Sequence, residues 1–146
     1  MASRTVHSSC ARQTEDLGAE IARVLKPGDV VLVQGELGAG KTTLVRGAAR
    51  ELGVRQPVTS PTFTIGNRYA ADGITVSHLD LYRISSLGAE DPDLLADYLG
   101  EGRIAFVEWP EDGARELAGA RLVVRISHRG EDDREVELDD REEPTT

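Results

Sequence analysis

Cysteine is nearly missing from this chain of 146 residues. Cys10 is the single one, which excludes an internal disulfide and leaves nothing pointing to an oxidising compartment. Long apolar runs are missing too: no stretch approaches the roughly 18 residues of a membrane-spanning helix. Met1 to Cys10 is polar and lacks the apolar segment of a secretory signal. A cytoplasmic protein with no membrane association is the expectation. Positive charge is short as well, with 17 basic residues against 26 acidic ones and a formal net charge of -9. Glu131 to Glu143 holds nine acids against Arg134 and Arg141, so this stretch carries most of the imbalance. No basic stripe of the kind that follows a phosphate backbone is visible, which argues against direct, tight nucleic-acid binding. Residues 131–146 read as an acidic, solvated end, frayed at its terminus. What the chain does have is 39% hydrophobic residues and 15 glycines, enough for one globular domain over residues 1–146.

Hydrophobic spacing predicts the elements. Thr14 to Leu25 carries Leu17, Ile21, Val24 and Leu25 at helical intervals, with Thr14 as N-cap and Pro27-Gly28 as the stop. Asp29 to Gln34 contains Val30-Val31-Leu32-Val33, a run suited to a strand buried on both faces. Thr42 to Leu52 reads as a helix ended by Gly53. Thr62 to Ala70 and Ile74 to Leu81 read as strands around an Ala71-Asp72-Gly73 turn. Ser85 to Pro92 is a polar connection, and Asp93 to Leu99 a short helix. Ile104 to Val107 is a second buried strand, and Leu122 to Ile126 with Glu135 to Leu138 form a closing hairpin. The pattern predicts a three-layer α/β domain with a mostly parallel central sheet and a C-terminal antiparallel hairpin.

Between the first strand and the second helix stands Gly35-Glu36-Leu37-Gly38-Ala39-Gly40-Lys41-Thr42, a match to G-x-x-x-x-G-K-[ST] in strand–loop–helix context. Glycines let successive N–H groups turn inward on phosphate oxygens, and the following helix adds its positive end. Lys41 would reach the β- and γ-phosphates, and the Thr42 hydroxyl would ligate Mg²⁺. Lysine occurs only at Lys26 and Lys41 against 15 arginines, so a chain that otherwise uses arginine places lysine at the phosphate position. The architecture is therefore P-loop NTPase-like. Asn67 is the only asparagine and no Asn-Lys-x-Asp is present, so ATP is favoured over GTP.

Such a site also needs an acid at a strand end. Glu108 follows Ile104 to Val107, and Asp80 closes Val76 to Leu79. Either could hold the metal or position water. His78 shares one face with Asp80 and reads first as structural. Trp109 is either packing or, beside Glu108, a residue that covers the nucleotide or faces a partner, and Thr62 is either a turn residue or a switch-loop hydroxyl that senses the γ-phosphate.

GELGAGKTT at Gly35–Thr43, SPTFT at Ser60–Thr64, HLDLYR at His78–Arg83 and VEWPE at Val107–Glu111 occur in that order. Together they resemble the TsaE (YjeE) family, the small ATPase of bacterial tRNA threonylcarbamoyladenosine synthesis. The resemblance runs from about Thr14 to Leu138. It implies an ATPase, dependent on ATP and Mg²⁺, that supports turnover of the TsaB–TsaD heterodimer and meets tRNA only through that complex. It also implies phosphate binding by Leu37, Gly38, Ala39, Gly40, Lys41, Thr42 and Thr43, and metal ligation by Thr42 and Glu108. Catalytic roles fall to Lys41, Glu108 and Asp80, the last orienting the attacking water. Thr62 lies in the matching switch loop, and Thr14 and Arg134 match positions near the adenine. Two departures stand out: Ser85–Tyr98 lacks the family's glutamate-rich pattern, and Asp132-Asp133 precedes Arg134 where Gly-Arg is common.

Two other readings share the phosphate loop. A small-molecule kinase would use Asp80 as base, but no basic residue lies between Ile84 and Gly102 to build an arginine-bearing lid. A non-catalytic nucleotide-dependent binding module would change partner affinity between ATP and ADP states.

Overall fold

The computed structural model describes residues 2–35, 40–59, 66–80, 102–109 and 120–140, with backbone only for Ala2, Asp80 and Trp109. In chain order the elements are β1 (Ala2–Ser8), α1 (Ala11–Ala22), β2 (Val30–Gly35), α2 (Lys41–Glu51), β3 (Gly66–Ala70), β4 (Thr75–Asp80), β5 (Arg103–Trp109), β6 (Leu122–His128) and β7 (Arg134–Asp140). They form one seven-stranded sheet in the order β1-β7-β6-β2-β5-β4-β3. Four adjacent strands, β6, β2, β5 and β4, run parallel. The pairs β1–β7, β6–β7 and β3–β4 are antiparallel. The parallel part of the sheet is thus its centre, and the predicted closing hairpin is β6–β7.

Burial explains that centre. Val31, Leu32 and Val33 of β2 and Ile104 to Val107 of β5 are buried on both faces, as parallel strands in a layered α/β domain must be. On one face Val31, Val33, Ile104, Phe106, Val124, Ile126 and Val136 share a core with Leu17 and Ile21 of α1 and Leu44, Val45, Ala48 and Ala49 of α2. On the other, Leu32, Leu79, Ala105, Val107 and Val123 are buried as well. The helix expected over Asp93–Leu99 lies outside the described residues. No helix among the described residues is long and apolar enough to cross a membrane.

One expectation needs correction. The first helix starts at Ala11, with Cys10 as N-cap, so Thr14 is not the cap. Gln13 instead accepts the Ser9 N–H at 2.6 Å, tying the chain back at the helix entry. The helix also ends at Ala22, which leaves Val24 54% exposed rather than in the apolar stripe. The polar N-terminal segment, for which the sequence predicts no element, is a strand paired with β7 from Ala2↔Asp140 to Ser8↔Arg134. Within the acidic end, the strand expected over Glu135 to Leu138 is β7, which runs through Asp140: it buries Val136 and Leu138, while Glu135, Glu137 and Asp139 occupy the alternate positions. Residues 141–146 lie outside the described residues.

The two helices touch backbone to backbone. A Cβ on Gly18 would sit 2.1 Å from the Leu44 carbonyl oxygen, and one on Gly47 would sit 2.0 Å from that of Glu15. Only glycine permits this approach. Alanine gains about 1 kcal/mol of helix propensity over glycine, yet forcing the helices apart costs typically 1–3 kcal/mol at each point. The double variant Gly18→Ala/Gly47→Ala is therefore expected to lose about 2 kcal/mol and to melt roughly 4–8 °C lower by circular dichroism. An unchanged Tm would show that the contact is not needed.

Candidate functional site

Strand parity and register bring one set of polar residues to a single end of the sheet, on the face that carries the helices. Val33 pairs with Glu108 across β2–β5, and Asp80 pairs with Glu108 across β4–β5. Gly35 pairs with Ile126, and His128 with Arg134, which in turn pairs with Ser8. This end is the carboxyl edge of the four parallel strands, where α/β sheets bind their ligands.

At this edge β2 ends at Gly35 and α2 begins at Lys41, with Gly40 as N-cap in the left-handed region at φ 106°. That conformation explains the glycine at position 40. Lys41 is buried, 5% exposed, and its Nζ donates to the Gly35 carbonyl at 2.8 Å. The Thr42 Oγ1 donates to Glu108, at 3.1 Å from Oε2 and 3.4 Å from Oε1, across 66 positions of sequence. Glu108 itself is only 3% exposed. Its Oε2 also meets Nε2 of His78, a fully buried residue of β4. Lys41, Thr42, Glu108 and His78 thus form one cluster around the start of a helix, where the positive end of the helix dipole also acts.

A second cluster adjoins it. A Cβ placed on Gly40 would lie 4.0 Å from both Arg134 Nε and Thr14 Cγ2, so residues far apart in sequence meet at the loop's last glycine. The Thr14 hydroxyl is 2.7 Å from that of Ser8, and Arg134 Nη1 donates to the carbonyls of Asp133 at 3.0 Å and Glu131 at 3.2 Å. Both acceptors are main-chain carbonyls, which any residue would offer, so this hold on Arg134 does not depend on the Asp132-Asp133 departure. Thr43 is half-buried in the first turn of α2. Asp80 holds the register position beside Glu108, while its side chain lies outside the described residues, as do Leu37, Gly38, Ala39 and Thr62.

Of the residues expected at the site, the structure brings together Thr14, Gly40, Lys41, Thr42, Glu108 and Arg134. Two participants were not anticipated there. Ser8 gave no signal, because β1 has only one large apolar residue, Val6. His78 was read first as structural, and its contact with Glu108 is a tertiary one, 30 positions away in sequence.

The donor set suits magnesium: a hydroxyl and a carboxylate are hard oxygen ligands, and Mg²⁺ bound with a nucleotide needs only one or two of them from the protein. A buried ammonium next to a helix N-terminus suits phosphate oxygens.

Comparison with known proteins identifies the family. The sequence profile of the Threonylcarbamoyl adenosine biosynthesis protein TsaE matches residues 8–136. The "tRNA threonylcarbamoyladenosine biosynthesis protein TsaE" of Streptomyces coelicolor is 45% identical over 113 residues, which is 76% of this chain and 76% of that protein. Its counterpart in Bacillus subtilis is 38% identical over 124 residues, covering 85% of this chain and 77% of that one. Among solved structures, Bacillus subtilis YdiB superposes with a TM-score of 0.74 at 29% identity, covering 94% of this chain and 84% of its own. By profile, sequence and fold, the chain belongs to the TsaE family of tRNA threonylcarbamoyladenosine biosynthesis proteins.

Proposed function

We propose that this protein is a cytoplasmic ATPase that binds ATP with Mg²⁺ and supports turnover of the TsaB–TsaD heterodimer as it threonylcarbamoylates the tRNA adenosine next to the anticodon. The observation that carries the ATP reading is the meeting of Thr42 with Glu108: a hydroxyl at the start of a helix and a carboxylate at a strand end, beside a buried lysine. The family relationship supports the pathway.

In this reading Lys41 exchanges its bond to the Gly35 carbonyl for phosphate oxygens, and the loop from Leu37 to Thr43 supplies backbone donors around them. Thr42 and Glu108 would hold Mg²⁺, which when bound would supply positive charge beside the phosphate oxygens. Asp80, at the register position beside Glu108, orients the attacking water. Thr62 acts as the switch-loop hydroxyl that senses the γ-phosphate. Thr14 and Arg134, held beside Gly40, line the end of the site where the adenine lies. The acidic balance of the chain fits a protein that reaches tRNA only through its partner complex.

Substitutions separate binding from hydrolysis. Lys41→Ala removes a charged donor and is expected to weaken ATP binding about 10- to 100-fold by isothermal titration calorimetry. Glu108→Gln keeps the shape but removes the charge. It is expected to lower Mg²⁺-dependent phosphate release by roughly 100-fold while changing metal-free nucleotide binding much less. The partner reading is checked by gel filtration and by hydrolysis rates with and without TsaB–TsaD. Co-elution and a changed rate are expected, and a rate indifferent to the pair with no co-elution would overturn it.

A further inference from the structure

We infer that His78 is a positioning residue for Glu108: it fixes the carboxylate at the start of α2, so that the metal-binding oxygens are set before nucleotide arrives. The inference rests on the proposed role of Glu108 as a magnesium ligand.

The geometry is specific. His78 stands opposite Phe106 in the β4–β5 register, one same-face position before the Asp80–Glu108 pair. From there its ring reaches diagonally along the sheet to Oε2 of Glu108. An ionised carboxylate only accepts hydrogen bonds, so Nε2 carries the proton and donates. The Thr42 hydroxyl donates to the same oxygen at 3.1 Å, while Oε1 stays the less engaged one at 3.4 Å. Two donors on separate elements, α2 and β4, thus define the carboxylate's rotation.

Packing alone does not account for the residue. His78 is fully buried, and its other ring nitrogen, Nδ1, has no hydrogen-bond partner among the described residues. The residue opposite it on β3, Asn67, spends its amide on the Thr59 carbonyl and the Tyr69 hydroxyl instead. Leucine would fill the space without an unsatisfied polar atom. What leucine could not do is hold Glu108. Outer-shell donors of this kind orient metal-ligating groups, and their loss typically weakens metal binding 10- to 100-fold.

The test is the ratio of ATP dissociation constants without and with Mg²⁺, measured by calorimetry on the wild type, His78→Leu and His78→Gln. The ratio is expected to collapse about 10-fold or more in His78→Leu. His78→Gln, whose amide can donate from nearly the position of Nε2, is expected to restore most of it. A purely structural histidine would lower stability in both variants and leave the ratio alone. A wild-type ratio in folded His78→Leu, or no recovery in folded His78→Gln, overturns the inference. Should His78→Leu not fold, His78→Asn, whose amide stops short of Glu108, replaces it in the comparison. A wild type that binds no ATP with Mg²⁺ overturns the ATP reading itself, an outcome distinct from failure of the positioning role.

Discussion

A carboxylate withdrawn from water has to be held by donors, and at Glu108 the donors come from two different elements. Taking such a group out of solvent costs several kcal/mol even after relaxation, and only well-placed hydrogen bonds offset it. Glu108 is 3% exposed and receives Thr42 from the N-terminus of α2 and His78 from β4. These contacts tie the start of the helix to the centre of the sheet at a distance of 66 residues along the chain. The phosphate-loop region is therefore anchored at its helix end as well as where β2 delivers Gly35, and the buried Lys41 bridges the two by its bond to the Gly35 carbonyl. The geometry of the site depends on keeping that one carboxylate in place.

The helices meet the same requirement from the other side. α2 can present Lys41 and Thr42 at the sheet edge only if it lies low on the sheet, and its Leu44, Val45, Ala48 and Ala49 are fully buried there. α1 can then deliver Thr14 to Gly40 only by crossing α2 at backbone distance. Gly18 and Gly47 make that crossing possible, since any side chain would strike a carbonyl oxygen of the opposite helix. The small residues in these helices are thus part of how the second cluster, Thr14 with Arg134, reaches the loop.

Local patterns made some of this legible in the sequence and left the rest hidden. The loop, its lysine and threonine, and the two central strands follow from short-range signals: a contiguous motif, and apolar runs that must be buried on both faces. Glu108 could be placed because it directly follows such a run. β1 could not, because Arg4, Val6 and Ser8 on one side alternate with polar residues on the other, and its order comes from pairing with β7. The strand in the acidic end was legible too, because Val136 and Leu138 alternate with acids and anchor it in the core. Thr14 looked like a cap because it precedes an apolar stripe, while the actual entry is fixed by Gln13 and Ser9. The contact of His78 with Glu108 is set by strand register between β4 and β5, which spacing along one chain does not reveal.

Register is also what joins stability to chemistry here. Side chains alternate with a period of two, so the burial of Ile104 and Phe106 against the helices compels Glu108 to the same face. The parallel pairing of β4 does likewise: Val76 opposite Ile104 places His78 opposite Phe106, and the next same-face pair is Asp80 with Glu108. A slip of one residue in either strand would turn its apolar residues away from the helical core, and a slip in β5 would turn Glu108 away from α2. Such a slip is opposed by the burial of several large side chains, each contributing about 1.5–3 kcal/mol. The carboxylate needs no separate device to select its face. The residues that make the sheet stable have already selected it, and Thr42 and His78 have only to set the last rotation.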